Sequence, residues 1–176
     1  MNAPTPEFSR LRRLDTLGTR EESVRVEADA DERRRLAGRF GLLALDRLEA
    51  DYRLTREDDA VLATGRIVAK VVQPCSVTED PVPAAIDTDF AIRFTPEAAA
   101  VPDDEVELDE GDCDIVFYEG GAIDLGEAAA QTLALALDPY PRSSGAAAAL
   151  REAGVIGEGE AGPFGGLAAL KGKLGG

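Results

Sequence analysis

Apolar and polar residues alternate with a period of two along much of this chain, the mark of half-buried β-strands. Between residues 42 and 54, Leu48, Ala50, Tyr52 and Leu54 fall on one face, with Glu49, Asp51 and Arg53 on the other. REDDA at 56–60 supplies a turn, and VLATGRIVAKVVQ then brings Ile67, Ala69 and Val71 together. Gly65 inside that run reads as the mark of a bulge. After a turn at 74–83 the alternation resumes, with Ile86, Phe90, Ile92 and Phe94 inward and Asp87, Asp89 and Arg93 outward. Residues 42–95 are therefore expected to form three long antiparallel strands. Shorter strands are expected at 23–28 (SVRVEA) and 113–118 (CDIVFY).

Two stretches change period. DADERRRLAGRF, residues 29–40, offers Asp29 or Asp31 as a cap, acids in the first turn and arginines after them, and predicts a short helix ended near Gly41. After Gly120-Gly121 turns the chain, Asp124 starts a second helix, with Glu127 three residues on in a capping-box arrangement. Leu125, Ala129, Leu133, Ala136 and Leu137 share its apolar face, and Pro139 and Pro141 end it. Residues 143–176 hold ten Gly and a run of four Ala. Such a segment buries too little apolar surface to offset its chain entropy, and is read as disordered. The expected fold is α+β: an antiparallel sheet, curled towards a half-barrel, with one or two packed helices. Residues 1–142 form the single domain, and 143–176 a flexible tail carrying a short docking segment at 163–171.

Charge sharpens the picture. The 176 residues include 34 acidic and 19 basic side chains, for a formal net charge of −15. Residues 1–70 are balanced, with 14 of each sign, whereas 71–176 hold 20 acidic and 5 basic residues. Cations must replace counterions on nucleic acid, so DNA is not an expected partner, and any RNA contact falls to the N-terminal part. The acidic half suits a basic partner. No secretory signal and no apolar run long enough to span a membrane are seen, and Cys75 and Cys113 do not form a secreted disulfide framework; the reading is cytoplasmic.

Candidate chemistry is sparse. Histidine is absent, which removes the commonest general base and neutral metal ligand and rules out Ser-His and Cys-His nucleophile pairs within the chain. No phosphate-binding glycine motif occurs. Asp103, Asp104, Glu105, Glu107, Asp109, Glu110, Asp112 and Asp114 crowd one short stretch. A divalent cation could use such oxygens, but the spacing is not an EF-hand; a solvated loop or contact surface for a basic partner is the preferred reading. Cys75 and Cys113 read as ordinary free thiols, and no cofactor or metal is expected. Arg33, Arg34, Arg35 and Arg39 are the candidates for touching RNA, set against a solvated helix face paired with Asp31, Glu32 and neighbours. Phe164, Leu167 and Leu170 have helical spacing within the tail and could dock on a partner or on their own domain.

Three stretches in order resemble one bacterial family. LATGRIVAKVVQPC (62–75) is a long strand running into a cysteine turn; AIDLGEAAAQTLALALDPYPR (122–142) is an IDL start with a Leu/Ala-rich helix before a proline; PFGGLAALKGK (163–173) is a terminal Pro-Phe…Leu…Leu-Lys. Together they resemble the YceD-like family, the large ribosomal RNA subunit accumulation proteins, over most of residues 40–173. Asp-Pro-Tyr-Pro at 138–141 is similar to the alphaproteobacterial branch. Many members carry a Cys-x-x-Cys after the strand and a further Cys nearer the C-terminus. Here Cys75 matches the first position, Thr78 stands at the second, and no Cys lies in 142–145, so a zinc or redox role is not carried over. The resemblance implies a role in the synthesis, processing or stability of 23S rRNA and no known enzyme activity. The expected mode is binding of a basic ribosomal protein or pre-ribosomal particle, with rRNA contacted indirectly. Direct rRNA binding through the N-terminal arginines is the alternative, and a metal-dependent nuclease on the acidic loop a third.

Overall fold

The alternation around Tyr52 and Ile67 becomes two strands of 14 and 15 residues in the computed structural model, which describes residues 6–18, 20–97 and 113–155. The elements run β1 (Leu11–Arg13), a 3-10 turn (Leu14–Thr16), β2 (Glu22–Glu27), α1 (Ala30–Arg39), β3 (Ala44–Glu57), β4 (Ala60–Pro74), β5 (Pro81–Pro96), β6 (Asp114–Tyr118), β7 (Ala122–Asp124), α2 (Leu125–Ala136) and α3 (Ala146–Glu152). The chain is α+β, as its periodicities require. It divides into two compact units, residues 1–73 with 83–139, and residues 74–82 with 140–176.

In the first unit, five strands lie in the order β2-β3-β4-β5-β6, and β1 pairs with β7 in a separate ribbon. β2, β3 and β4 are antiparallel neighbours. The inward set is the one the alternation selects: Leu48, Ala50, Tyr52, Leu54, Ile67, Ala69, Val71, Ile92 and Phe94 are all buried. Leu36 and Ala37 of α1 join them, as do Leu125, Ala129 and Leu133 of α2. Tyr52 is buried to its tip, where its hydroxyl donates to the Leu125 carbonyl at 2.8 Å. That bond satisfies the one polar atom the ring carries inward.

Helix ends follow local chemistry. Asp29 caps α1 by accepting from the amides of Asp31 and Glu32, and the Glu32 carboxylate accepts in return from the Asp29 amide, a complete capping box. Gly41 takes a φ of +64° at the other end, and the Leu42 amide reaches back to the Ala37 carbonyl at 2.9 Å. This closure needs a residue that tolerates the left-handed region. Asp124 caps α2 through the amides of Gly126 and Glu127. The capping box expected there is only half made, because the Glu127 carboxylate is drawn away to Arg39 at 2.8 Å.

Other local expectations are corrected too. Gly65 is not a bulge: the β3–β4 register runs unbroken through Tyr52↔Gly65, and the irregularity lies between Leu45 and Arg47. Glycine is required by close approach instead. A Cβ at position 65 would stand 1.9 Å from the Asp51 carbonyl oxygen and 2.8 Å from the tip of the Phe90 ring. β6 runs parallel to β5, with Phe94↔Val116 in register, so the sheet is mixed at that edge. The connection 97–113 is long enough for the crossover that a parallel neighbour needs. The ribbon β1–β7, which pairs Arg12 with Ile123, was not expected.

In the second unit, the turn after β4 and residues 140–155 come together. The Ser76 amide donates to the Pro141 carbonyl at 2.8 Å, and the Cys75 amide to the Asp80 carbonyl at 2.8 Å. The structureless tail expected from residue 143 is contradicted over Ala146–Glu152, which forms α3 with Ala146 buried. Four consecutive alanines have the highest helix propensity available, enough for two turns once the start is anchored. The remainder of that tail from residue 156, with its segment at 163–171, lies outside the described residues.

Candidate partner-binding surfaces

On the outer face of the five-stranded sheet, register sets polar residues of β2, β3 and β4 in rows. Ser23 of β2 stands opposite Arg53 of β3, which stands opposite Thr64 of β4. The next row along is Arg25, Asp51 and Arg66. Directly opposed residues on one face lie close enough to interact, and both rows line a depression of about 720 Å³ with Gly65 in its floor. Beneath the floor the Phe90 and Tyr52 rings meet edge to face, 4.9 Å between centroids. The aromatic ring covers the glycine and shields the backbone there.

Most arginines on this face are already neutralised. Arg25 pairs with Glu49 at 2.9 Å and Asp51 at 3.2 Å; Arg47 also pairs with Glu49. Arg66 pairs with Asp87 at 2.6 Å and Asp89 at 3.3 Å. Arg93 reaches Glu57 at 2.9 Å. Hydrogen bonds from Arg47 and Arg25 hold the Glu49 carboxyl below its ordinary range, and the bond from Arg66 does the same for Asp87. Arg53 differs: among the described residues no side chain pairs with its guanidinium.

Three of the four arginines singled out on α1 are engaged by groups of the chain itself. Arg34 pairs with Asp31 at 2.7 Å, and Arg39 with Glu7 at 3.0 Å and Glu127 at 2.8 Å. Arg33 donates to the Ala28 carbonyl at 2.5 Å. Backbone hydrogen bonds hold the Glu7 and Asp29 carboxyls down, and the charge of nearby Arg35 adds to that. A phosphate backbone would have to displace carboxylates from Arg34 and Arg39.

In the second unit, Cys75 is not an ordinary thiol. Its sulfur is buried and accepts from the Ser143 amide at 3.3 Å and the Val77 amide at 3.5 Å. Hydrogen bonding, the Ser143 amide above all, outweighs burial and brings its pKa to about 6. Thr78 and Ser143 also share a partner: both hydroxyls donate to the Asp80 carboxylate, at 2.6 and 3.3 Å. Cys113 behaves oppositely, burial raising its pKa. Among the described residues no three Cys, Asp or Glu side chains cluster closely enough to hold a metal. The acidic run Asp103, Asp104, Glu105, Glu107, Asp109 and Glu110 lies outside the described residues, as do Phe164, Leu167 and Leu170. Sequence reasoning missed the depression around Arg53; its signal, three polar residues brought level by strand register, exists only after pairing.

The model of one protein family matches residues 63–171, under the description large ribosomal RNA subunit accumulation protein YceD. The chain belongs to the YceD family. The matched stretch takes in most of β4, the cysteine turn, β5 to β7, α2 and α3, and leaves the α1 arginines outside. Family membership ties the chain to accumulation of large-subunit ribosomal RNA. No curated protein and no solved structure matches it. Among the described residues no helix is long and apolar enough to cross a membrane.

Proposed function

We propose that this YceD-family protein supports the synthesis, processing or stability of 23S rRNA in the cytoplasm without catalysing a reaction, by binding a basic ribosomal protein or an assembly intermediate that contains one. The observation that carries this reading is the charge distribution: −15 overall, with the whole excess in residues 71–176. Two further features support it. The arginines of α1 are largely occupied by the protein's own carboxylates and carbonyls, and the family match falls on the acidic part of the chain. A polyanionic surface steers a basic protein quickly onto itself and repels free rRNA. The acidic run Asp103–Glu110 and the segment Phe164, Leu167 and Leu170 are proposed as parts of the contact surface.

The deciding experiment is affinity capture on the tagged full chain from a bacterial lysate, with and without RNase, and identification of what is retained. Large-subunit ribosomal proteins retained after RNase are the expected result. Capture that vanishes with RNase, together with submicromolar binding of generic RNA near physiological salt, would replace this reading by direct rRNA binding through the N-terminal arginines.

A further inference from the structure

The depression on the outer sheet face is a place where one charge is left unanswered. Three arginines line it, Arg25, Arg53 and Arg66. Two are held by carboxylates, Arg25 by Glu49 and Asp51, Arg66 by Asp87 and Asp89. Arg53 has no such partner among the described residues, and neither the Ser23 nor the Thr64 hydroxyl beside it is engaged there. Strand pairing sets these three donors in one row. A guanidinium presents a planar fork suited to two oxygens of one anionic group, and two flanking hydroxyls add a donor on each side.

The rims have the opposite character. Asp51 and Asp89 both line the depression, and their side chains are 59% and 80% exposed. Although each is paired with an arginine, each keeps acceptor capacity facing solvent. A polyanion laid across Arg53 would press its neighbouring phosphates against these carboxylates. A single carboxylate flanked by cations meets complementary charge at every point.

We infer that this depression binds an acidic side chain of a predominantly basic protein segment, the carboxylate on Arg53, Ser23 and Thr64 and the flanking basic side chains on Asp51 and Asp89. The inference rests on the reading of the partner as a basic protein, and gives that partner a specific chemistry: a glutamate or aspartate between lysines or arginines. The site lies on the first unit, and six of its lining residues, Ser23, Val24, Arg25, Asp51, Tyr52 and Arg53, precede the family-matched stretch.

The test uses the uniformly 15N-labelled full chain and two synthetic peptides, one with a glutamate between two pairs of lysines and one with glutamine in its place. Amide shifts are followed by NMR, which registers millimolar binding. The glutamate peptide is expected to shift the amides of Ser23, Arg53 and Thr64 and to bind about two- to fivefold more tightly than the glutamine peptide, the ratio an exposed ion pair supports. Arg53→Gln, at an exposed position, should abolish that preference while its spectrum stays dispersed. If both peptides bind equally to the wild type, Arg53 is not a receptor, and the inference fails while the basic-partner reading stands. If neither peptide shifts any amide, the inference fails, and affinity capture still decides the basic-partner reading. Arg53-dependent binding of a single-stranded RNA oligonucleotide would make the depression a phosphate site and overturn the inference.

Discussion

Gly65 and Cys75 show how much a single position can depend on what stands opposite it. At position 65 a methyl group would overlap the Asp51 carbonyl and press on the Phe90 ring. Relief requires the β3–β4 pair to part, because the nearer obstacle is the Asp51 backbone. Gly65→Ala is therefore expected to destabilise the protein by about 3 kcal/mol, at or beyond the usual cost of overpacking. Urea unfolding checks this, and a change under about 0.5 kcal/mol, the range of an ordinary surface substitution, would show that the strands yield freely. Cys75 makes a pH prediction. Its folded pKa of about 6 lies below the ~8.5 of an unfolded cysteine, so the fold favours the thiolate. The stabilisation is fully present above the unfolded value and is lost as pH falls towards 6. The melting temperature of the wild type should therefore gain on that of Cys75→Ala as pH rises from 6 to 8.5. Parallel profiles would mean that the Ser143 and Val77 amides do not favour the charged sulfur.

Two aspartates begin the two longer helices, and they do not carry equal weight. Asp29 serves its own helix: it accepts from Asp31 and Glu32 and lies outside the core. Asp124 accepts from the Gly126 and Glu127 amides and also from the Ser9 hydroxyl at 2.6 Å and the Arg10 amide at 2.8 Å. Asp29→Ala should cost about 1 kcal/mol, the usual loss of a cap. Asp124→Ala should cost about 3 kcal/mol, since charged hydrogen bonds to a distant segment are lost as well. Equal losses in urea unfolding would show that Asp124 does nothing beyond its helix. The same contrast explains what could be read in advance. The cap of α1, expected at Asp29 or Asp31, and the faces of β3, β4 and β5 depend on residues within a few positions of one another, and local sequence exposes them. The β1–β7 ribbon rests on three-residue strands, too short for any period to register. The parallel placement of β6 follows from a crossover whose sequence is merely acidic. α3 was hidden because glycine around it outweighed four alanines in the composition. Gly65 was recognised as unusual inside a strand, yet its reason lies on β3 and β5. The row Ser23–Arg53–Thr64 joins three strands, and a slip of one residue in either pairing would destroy it.

At the scale of the molecule, the proposed function divides the work of holding a partner between the excess negative charge and the apolar side chains Phe164, Leu167 and Leu170. Phe164→Ala combined with Leu167→Ala is expected to weaken partner capture several-fold and leave the melting temperature nearly unchanged, as for a partner-facing segment. A lowered melting temperature would mean instead that the stripe packs against this chain. The way the two ends of the first unit are fastened has a further consequence, for synthesis. Phe8 is completely buried, and Ser9 is tied to a residue 115 positions later. A ribosome adding about 5–20 residues per second needs roughly 6–23 s to travel that distance. For that interval every nascent copy trails an unprotected phenylalanine and a strand without its mate, and the ribosome making it is a crowded source of other unfinished chains. The segment around Phe8 must therefore wait in the open for the residues around Asp124, so a stalled or shortened message yields a product in which that phenylalanine stays uncovered.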